Sequence, residues 1–115
     1  MSEQKKELLI LWTSKDIDVA LNMVFLYAKN SKLKEWWDDV TLLVWGPSAF
    51  ALANDTELQE YLRDIQAVGV NTMACRKCAE NYGIVEKLEE LGIEVFYSGQ
   101  FLSEWLQENK KIITF

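Results

Sequence analysis

Short apolar runs alternate with amphipathic stretches five times along the chain. Glu7 to Trp12, Val40 to Trp45, Val70 to Ala74 and Ile93 to Tyr97 read as strands, and Lys111 to Phe115 closes the series. Nearly continuous apolar runs of this length, without strict alternation, are the mark of strands covered on both faces. The segments between them carry helical spacing. The pattern therefore predicts an α/β fold: a three-layer α/β/α sandwich around a five-stranded, mostly parallel sheet. Right-handed crossovers narrow the topologies without fixing the strand order.

The helices carry their own punctuation. Pro47 after Gly46 suits a first helical position, and Asn54 ends that short helix. Thr56-Glu57-Leu58-Gln59 reads as a capping box, after which Leu58, Leu62, Ile65 and Val68 share one stripe. Gly69 stops that helix, as Gly92 stops the next, in which Ala79, Tyr82, Val85 and Leu88 recur at helical spacing. Leu102, Trp105 and Leu106 mark the last helix. The first, about Asp16 to Lys29, keeps its polar positions (Lys15, Asp18, Asn22, Lys29) to one narrow stripe. That surplus of apolar surface predicts burial beneath Lys34-Glu35-Trp36-Trp37 or, as we favour, a subunit interface. With no repeat or linker and a single proline, residues 1–115 read as one domain.

Composition then removes function classes. Eighteen acids against twelve bases give a net charge of −6, and the longest basic runs are pairs, so phosphate-neutralising nucleic-acid binding is not expected. The polar stretch Met1 to Lys6 and the short run Leu8 to Trp12 predict neither a leader nor a membrane span. Two cysteines three apart allow no disulfide framework, which points to a reducing, cytoplasmic setting. The chain has no histidine. Cys–His and Ser–His nucleophile pairs are thereby excluded, and no metal or cofactor is expected.

Chemistry concentrates where strands end, because parallel sheets bind ligands at their carboxyl edge. The first strand delivers Thr13, Ser14 and Lys15, and the second delivers Gly46 and Ser48. The third delivers Cys75, Arg76, Lys77 and Cys78, and the fourth delivers Tyr97 and Ser98. Cys75 and Cys78 are the only thiols, at a strand-to-helix junction beside two cations. Helix-terminal N–H groups and neighbouring cations favour ionisation, so lowered thiol pKa values and a water-facing Cys75 are expected. The three-residue spacing would let the pair bridge reversibly. Ser14 and Ser48 serve equally well as helix caps, and Trp12 and Trp45 as core.

Several families fail on inspection. A thioredoxin needs a late cis-proline, but the only proline is Pro47. A flavodoxin phosphate loop needs a glycine where Thr13-Ser14-Lys15-Asp16 stands. A receiver domain wants acids at the first strand's end, where Trp12 and Thr13 sit. The stretch Gly69-Val70-Asn71-Thr72-Met73-Ala74-Cys75-Arg76-Lys77-Cys78-Ala79-Glu80-Asn81-Tyr82-Gly83-Ile84, however, resembles the cysteine-bearing segment of the DsrE/DsrF-like family. The resemblance continues through Trp45-Gly46-Pro47-Ser48, through Ser98-Gly99 with Leu102, and into the terminal Ile-Ile-Thr-Phe. It implies strand order 4-3-2-1-5 and a homo-oligomer, with trimers or hexamers ahead of dimers. It also implies sulfur relay, with Cys75 at the persulfide-bearing position and Cys78 at a second cysteine found in some members.

Three functions follow from these residues. In the leading one, Cys75 accepts sulfane sulfur from a donor protein and passes it to an acceptor. Arg76 and Lys77 stabilise the persulfide, and Cys78 can resolve it to a Cys75–Cys78 disulfide. In the second the chain is a non-catalytic oligomeric binding or assembly module, and in the third the disulfide itself is a redox switch. Thr13, Ser14, Lys15, Gly46, Ser48, Tyr97 and Ser98 would line the substrate side.

Overall fold

The computed structural model describes residues 5–115. Residues 1–4, part of the polar opening stretch, lie outside the described residues. All five predicted strands form: β1 (Glu7–Trp12), β2 (Asp39–Val44), β3 (Asn71–Cys75), β4 (Glu94–Phe96) and β5 (Lys111–Thr114). They make one sheet of order β4-β3-β2-β1-β5, and every pair is parallel. The order expected from the resemblance is the observed one.

The two faces of the sheet are covered unequally. On one, Leu8, Ile10, Trp12, Val40, Leu42, Val44 and Ala74 join the main core with residues of the helices described below. On the other, Leu9 and Leu43 lie against Trp105, with Leu11, Trp45, Met73, Phe101, Leu102 and Ile112 at the margin. Among the described residues only the last helix, Gly99–Gln107, supplies that second layer.

The first helical stretch runs as α1 (Ile17–Val19), a π-helical turn (Ala20–Val24) and α2 (Phe25–Leu33). Asp16 caps it by accepting from the Asp18 and Val19 amides. Within the π turn the Phe25 N–H reaches Ala20 O, one residue further back than in an α-helix. Ala20, Val24, Phe25, Ala28 and Ser31 are buried, while Met23, Leu26 and Leu33 remain about half exposed. The segment Lys34–Trp37 covers part of the surplus: Trp37 Nε1 donates to Tyr27 Oη at 3.2 Å, and Trp36 lies 6.3 Å from the Tyr27 ring. It leaves Met23 and Leu26 open.

Three local expectations are corrected. The cap of α4 (Thr56–Ala67) is Asp55, which accepts from the Leu58 amide at 3.0 Å, so Thr56 is already helical. Gln59 does not close a capping box. Its Nε2 donates to Leu52 O and Ala53 O, satisfying the last carbonyls of α3 (Pro47–Asn54). The single helix expected over Ala79 to Leu88 is two, α5 (Arg76–Tyr82) and α6 (Val85–Glu90), broken by Gly83 at φ 69°. Helix α7 (Gly99–Gln107) forms as expected, with Trp105 buried and Leu106 exposed. Among the described residues no helix is long and apolar enough to cross a membrane.

Candidate functional site

Sequence dictates the thiol geometry. Strand β3 runs one residue further than the apolar pattern predicts and ends on Cys75 itself. Alternation then places Cys75 on the face of Met73, the α7 side, opposite Ala74. Cys75 pairs in register with Phe96 and is also the residue preceding α5. Its chain neighbours leave it 5% exposed, so the expected water-facing thiol is instead buried. The cause is its membership of the sheet: it ends β3 in register with Phe96 of β4, and α5 begins at the next residue.

Cys78, three residues into the turn, is only half-buried. Both cysteines are free thiols, and each lies close enough to act on the other's ionisation. The backbone amides of Gly46 and of Cys78 itself favour charge on the Cys78 sulfur. Burial, and next to it the neighbouring Cys75 thiol, push the Cys78 thiol up, and the two amides only partly offset them. The expected lowering therefore does not hold for Cys78. Two adjoining sulfurs in a part-buried site resist carrying two negative charges, whatever the helix end contributes.

The remaining candidates divide into two groups flanking the thiols. On the β4 side, Arg76 Nε lies 3.5 Å from Glu80 Oε2, and its guanidinium lies 6.0 Å from the Tyr97 ring. Tyr97 Oη donates to the same Glu80 oxygen at 2.8 Å, which raises the phenol's pKa. Arg76 is thus engaged by a carboxylate, an arrangement missed in the sequence although Arg76 and Glu80 stand at helical i,i+4 spacing. Lys77 is exposed.

On the β1 side, Thr13, Ser14, Lys15, Pro47, Phe50 and Tyr82 line an open groove of about 300 Å³. Phe50 and Tyr82 face each other at 5.5 Å and are both exposed, so Tyr82 does not belong to the buried stripe assigned to it. Cys78 and Tyr82 lie four apart on α5 and share its face, which sets the partly exposed thiol on the side of this groove. The groove's aromatic walls were also missed. Their only signal is two aromatics, Phe50 one turn into α3 and Tyr82 at the end of α5, in helices that begin at strand ends.

Several predicted ligand residues are structural. Ser48 is fully buried: its hydroxyl donates to Trp12 O or Trp45 O and accepts from the Trp45 amide. It ties the ends of β1 and β2 to α3 and cannot meet a substrate in this arrangement. Thr13 Oγ1 donates to Phe115 O at 2.9 Å, and Ser14 Oγ accepts from the Asp16 amide at 3.1 Å. Ser98 is fully buried with an unpartnered hydroxyl, away from solvent. Lys15 is exposed, and Gly46 is half-buried at φ 72°, ψ −137°. The structure therefore brings Cys75, Cys78 and Gly46 together, with Lys15 in the adjoining groove.

The family model described as the DsrE/DsrF-like family matches residues 8–115. Among solved structures, a conserved protein of unknown function from Bacteroides thetaiotaomicron, BT1422, is 37% identical. That match covers 96% of this chain and 95% of the other at a TM-score of 0.94. The ychN protein from E. coli shares the fold at 17% identity and TM-score 0.68, over 97% of this chain and 100% of its own. MTH1491, a protein of unknown function from Methanobacterium thermoautotrophicum, does so at 20% and 0.69, over 94% and 97%. No curated protein matches.

Proposed function

The chain belongs to the DsrE/DsrF-like family, and from that premise we propose that it is a sulfur carrier that holds sulfane sulfur as a persulfide on Cys75. The observation that carries the reading is the adjoining pair of free thiols at the β3–α5 junction. A persulfide on Cys75 is sheltered from bulk reductant by the same packing that buries the thiol. Cys78 adjoins it and can resolve it: attack on the Cys75 sulfur forms the disulfide and releases sulfide as the S–S bond breaks. Donor and acceptor would be proteins of a cytoplasmic relay that present their own thiols. Incubation with a low-molecular-weight persulfide should add about 32 Da, one sulfur atom, to the intact protein. The Cys75→Ser/Cys78→Ser double variant should gain nothing. A wild-type mass that stays unchanged after this treatment refutes the reading.

The open apolar surface favours an added role in assembly. Met23, Leu26, Tyr27, Trp36, Ile113 and Phe115 line a second groove beside the edge strand β5. We propose that this face joins copies of the chain in a trimer or hexamer, since an unpaired edge flanked by apolar side chains invites association. Sedimentation of the wild type against Leu26→Lys tests it. A monomeric wild type ends the proposal.

A further inference from the structure

We propose that sulfur enters and leaves through the partly exposed thiol of Cys78, and that buried Cys75 is an inner storage position reached only from Cys78. This rests on the carrier reading above and fixes the order of its two stations.

Access is the first ground. Displacement at sulfur needs the attacking thiolate, the transferred sulfur and the leaving sulfur in line, so a donor must bring its own chain up to the attacking atom. Cys75, 5% exposed at the end of a central strand, offers no such approach. Cys78 does, and its helix face opens beside the groove walled by Phe50 and Tyr82. Local donors are the second ground. The Gly46 amide, set by a backbone conformation open to glycine, favours charge on the Cys78 sulfur, and fixed N–H groups stabilise charge at the atom they face. The placing of the two thiols three residues apart across one strand-to-helix junction is the third, because it makes the inner transfer intramolecular.

The chemistry balances in two displacements. The Cys78 thiolate attacks the outer sulfur of a donor R–S–SH. A bond forms from the Cys78 sulfur to that outer sulfur as the donor's S–S bond breaks, giving Cys78–S–SH and R–S⁻, which takes a proton from water. The Cys75 thiolate then attacks the outer sulfur of Cys78–S–SH. Cys75–S–SH forms, and the Cys78 sulfur leaves with the electron pair and takes up the proton that Cys75 released. No oxidant or reductant is consumed, and the reverse sequence delivers sulfur to an acceptor thiol. The raised pKa of Cys78 restricts its thiolate to a minority at neutral pH, but a more basic thiolate is also the stronger nucleophile.

The test uses the full chain and glutathione persulfide. Trypsin cleaves after Arg76 and Lys77, so the two cysteines fall on separate peptides and each sulfur can be assigned. In the wild type, quenched early samples should carry the added sulfur on Cys78 and late samples on Cys75. Cys75→Ser should load Cys78 at close to the wild-type rate, whereas Cys78→Ser should load Cys75 at least about tenfold more slowly, as limited access to the sulfur requires. Early sulfur on Cys75, or Cys78→Ser loading at the wild-type rate, overturns the order while leaving the carrier intact. A wild type that takes up no sulfur overturns both. The early-against-late mapping needs no variant, so a folding defect in either serine protein leaves the decision standing.

Discussion

Replacing Gly46 with alanine isolates one backbone conformation. Gly46 precedes Pro47 at the end of β2 with φ 72° and ψ −137°, close to the mirror image of the extended geometry that L-residues adopt before proline. A Cβ built there meets nothing within 4 Å, so no steric clash contributes and the whole cost is torsional. Holding an L-residue in such a region costs about 1–3 kcal/mol. For a chain of this size that corresponds to a fall in the melting midpoint of about 4–12 °C. Relaxation toward ordinary torsions would instead swing the Gly46 amide away from Cys78. That amide lowers the thiol's pKa, so its loss moves the pKa further up and slows iodoacetamide at fixed pH. Gly99→Ala is the matched control: its added Cβ also meets open space, but its φ is not positive and it opens α7. Alanine there should be neutral or stabilising by up to about 1 kcal/mol. Thermal unfolding by circular dichroism and Cys78 alkylation mapped by mass spectrometry provide both readouts. If Gly46→Ala melts with the wild type and alkylates at the wild-type rate, the torsional reasoning is wrong.

Three further outcomes follow from particular contacts. Ser48→Ala should cost about 1–2 kcal/mol in urea unfolding without altering sulfur loading, because the Trp12 carbonyl and Trp45 amide keep each other at 3.0 Å. A greater loss of loading than of stability would restore Ser48 to the site. Glu80→Gln should lower the Tyr97 phenol's pKa, since the Glu80 carboxylate is the largest cause of its rise; tyrosinate absorbance against pH reads this. The raised Cys78 thiol contributes stability that is present below its ordinary value of 9.0 and lost as pH climbs through the folded value. Melting midpoints of the wild type should therefore fall above pH 9 more steeply than those of Cys78→Ser, and parallel profiles would contradict the assignment.

Much of the fold was legible because its signals are local. Each strand is an apolar run bounded by turn residues, and Gly69 and Gly92 end helices as read. What escaped depended on competition between neighbours. Asp55 is a better cap than Thr56 and takes the position one residue earlier. Helical spacing runs unbroken through Ala79, Tyr82, Val85 and Leu88, yet Gly83 turns left-handed and divides the helix. The π turn at Ala20–Val24 has no sequence signature we can identify. The thiol pair was legible as a position but not as an environment. Extending β3 by one residue makes Cys75 part of the sheet, so its alternation, not its proximity to a helix start, decides its depth.

The pairing of β1 with β5 has a kinetic consequence. Thr13 and Phe115 are bonded across 102 residues, and closing a loop of that length costs about 4 kcal/mol of chain entropy. Strand β5 has only one neighbour and holds Ile113 and Thr114 exposed. It therefore zips on after the interior strands and should be the first ladder to release its amide hydrogens to deuterium. While detached, it bares the flank of β1, so crowded folding conditions would find their foothold for misassembly there.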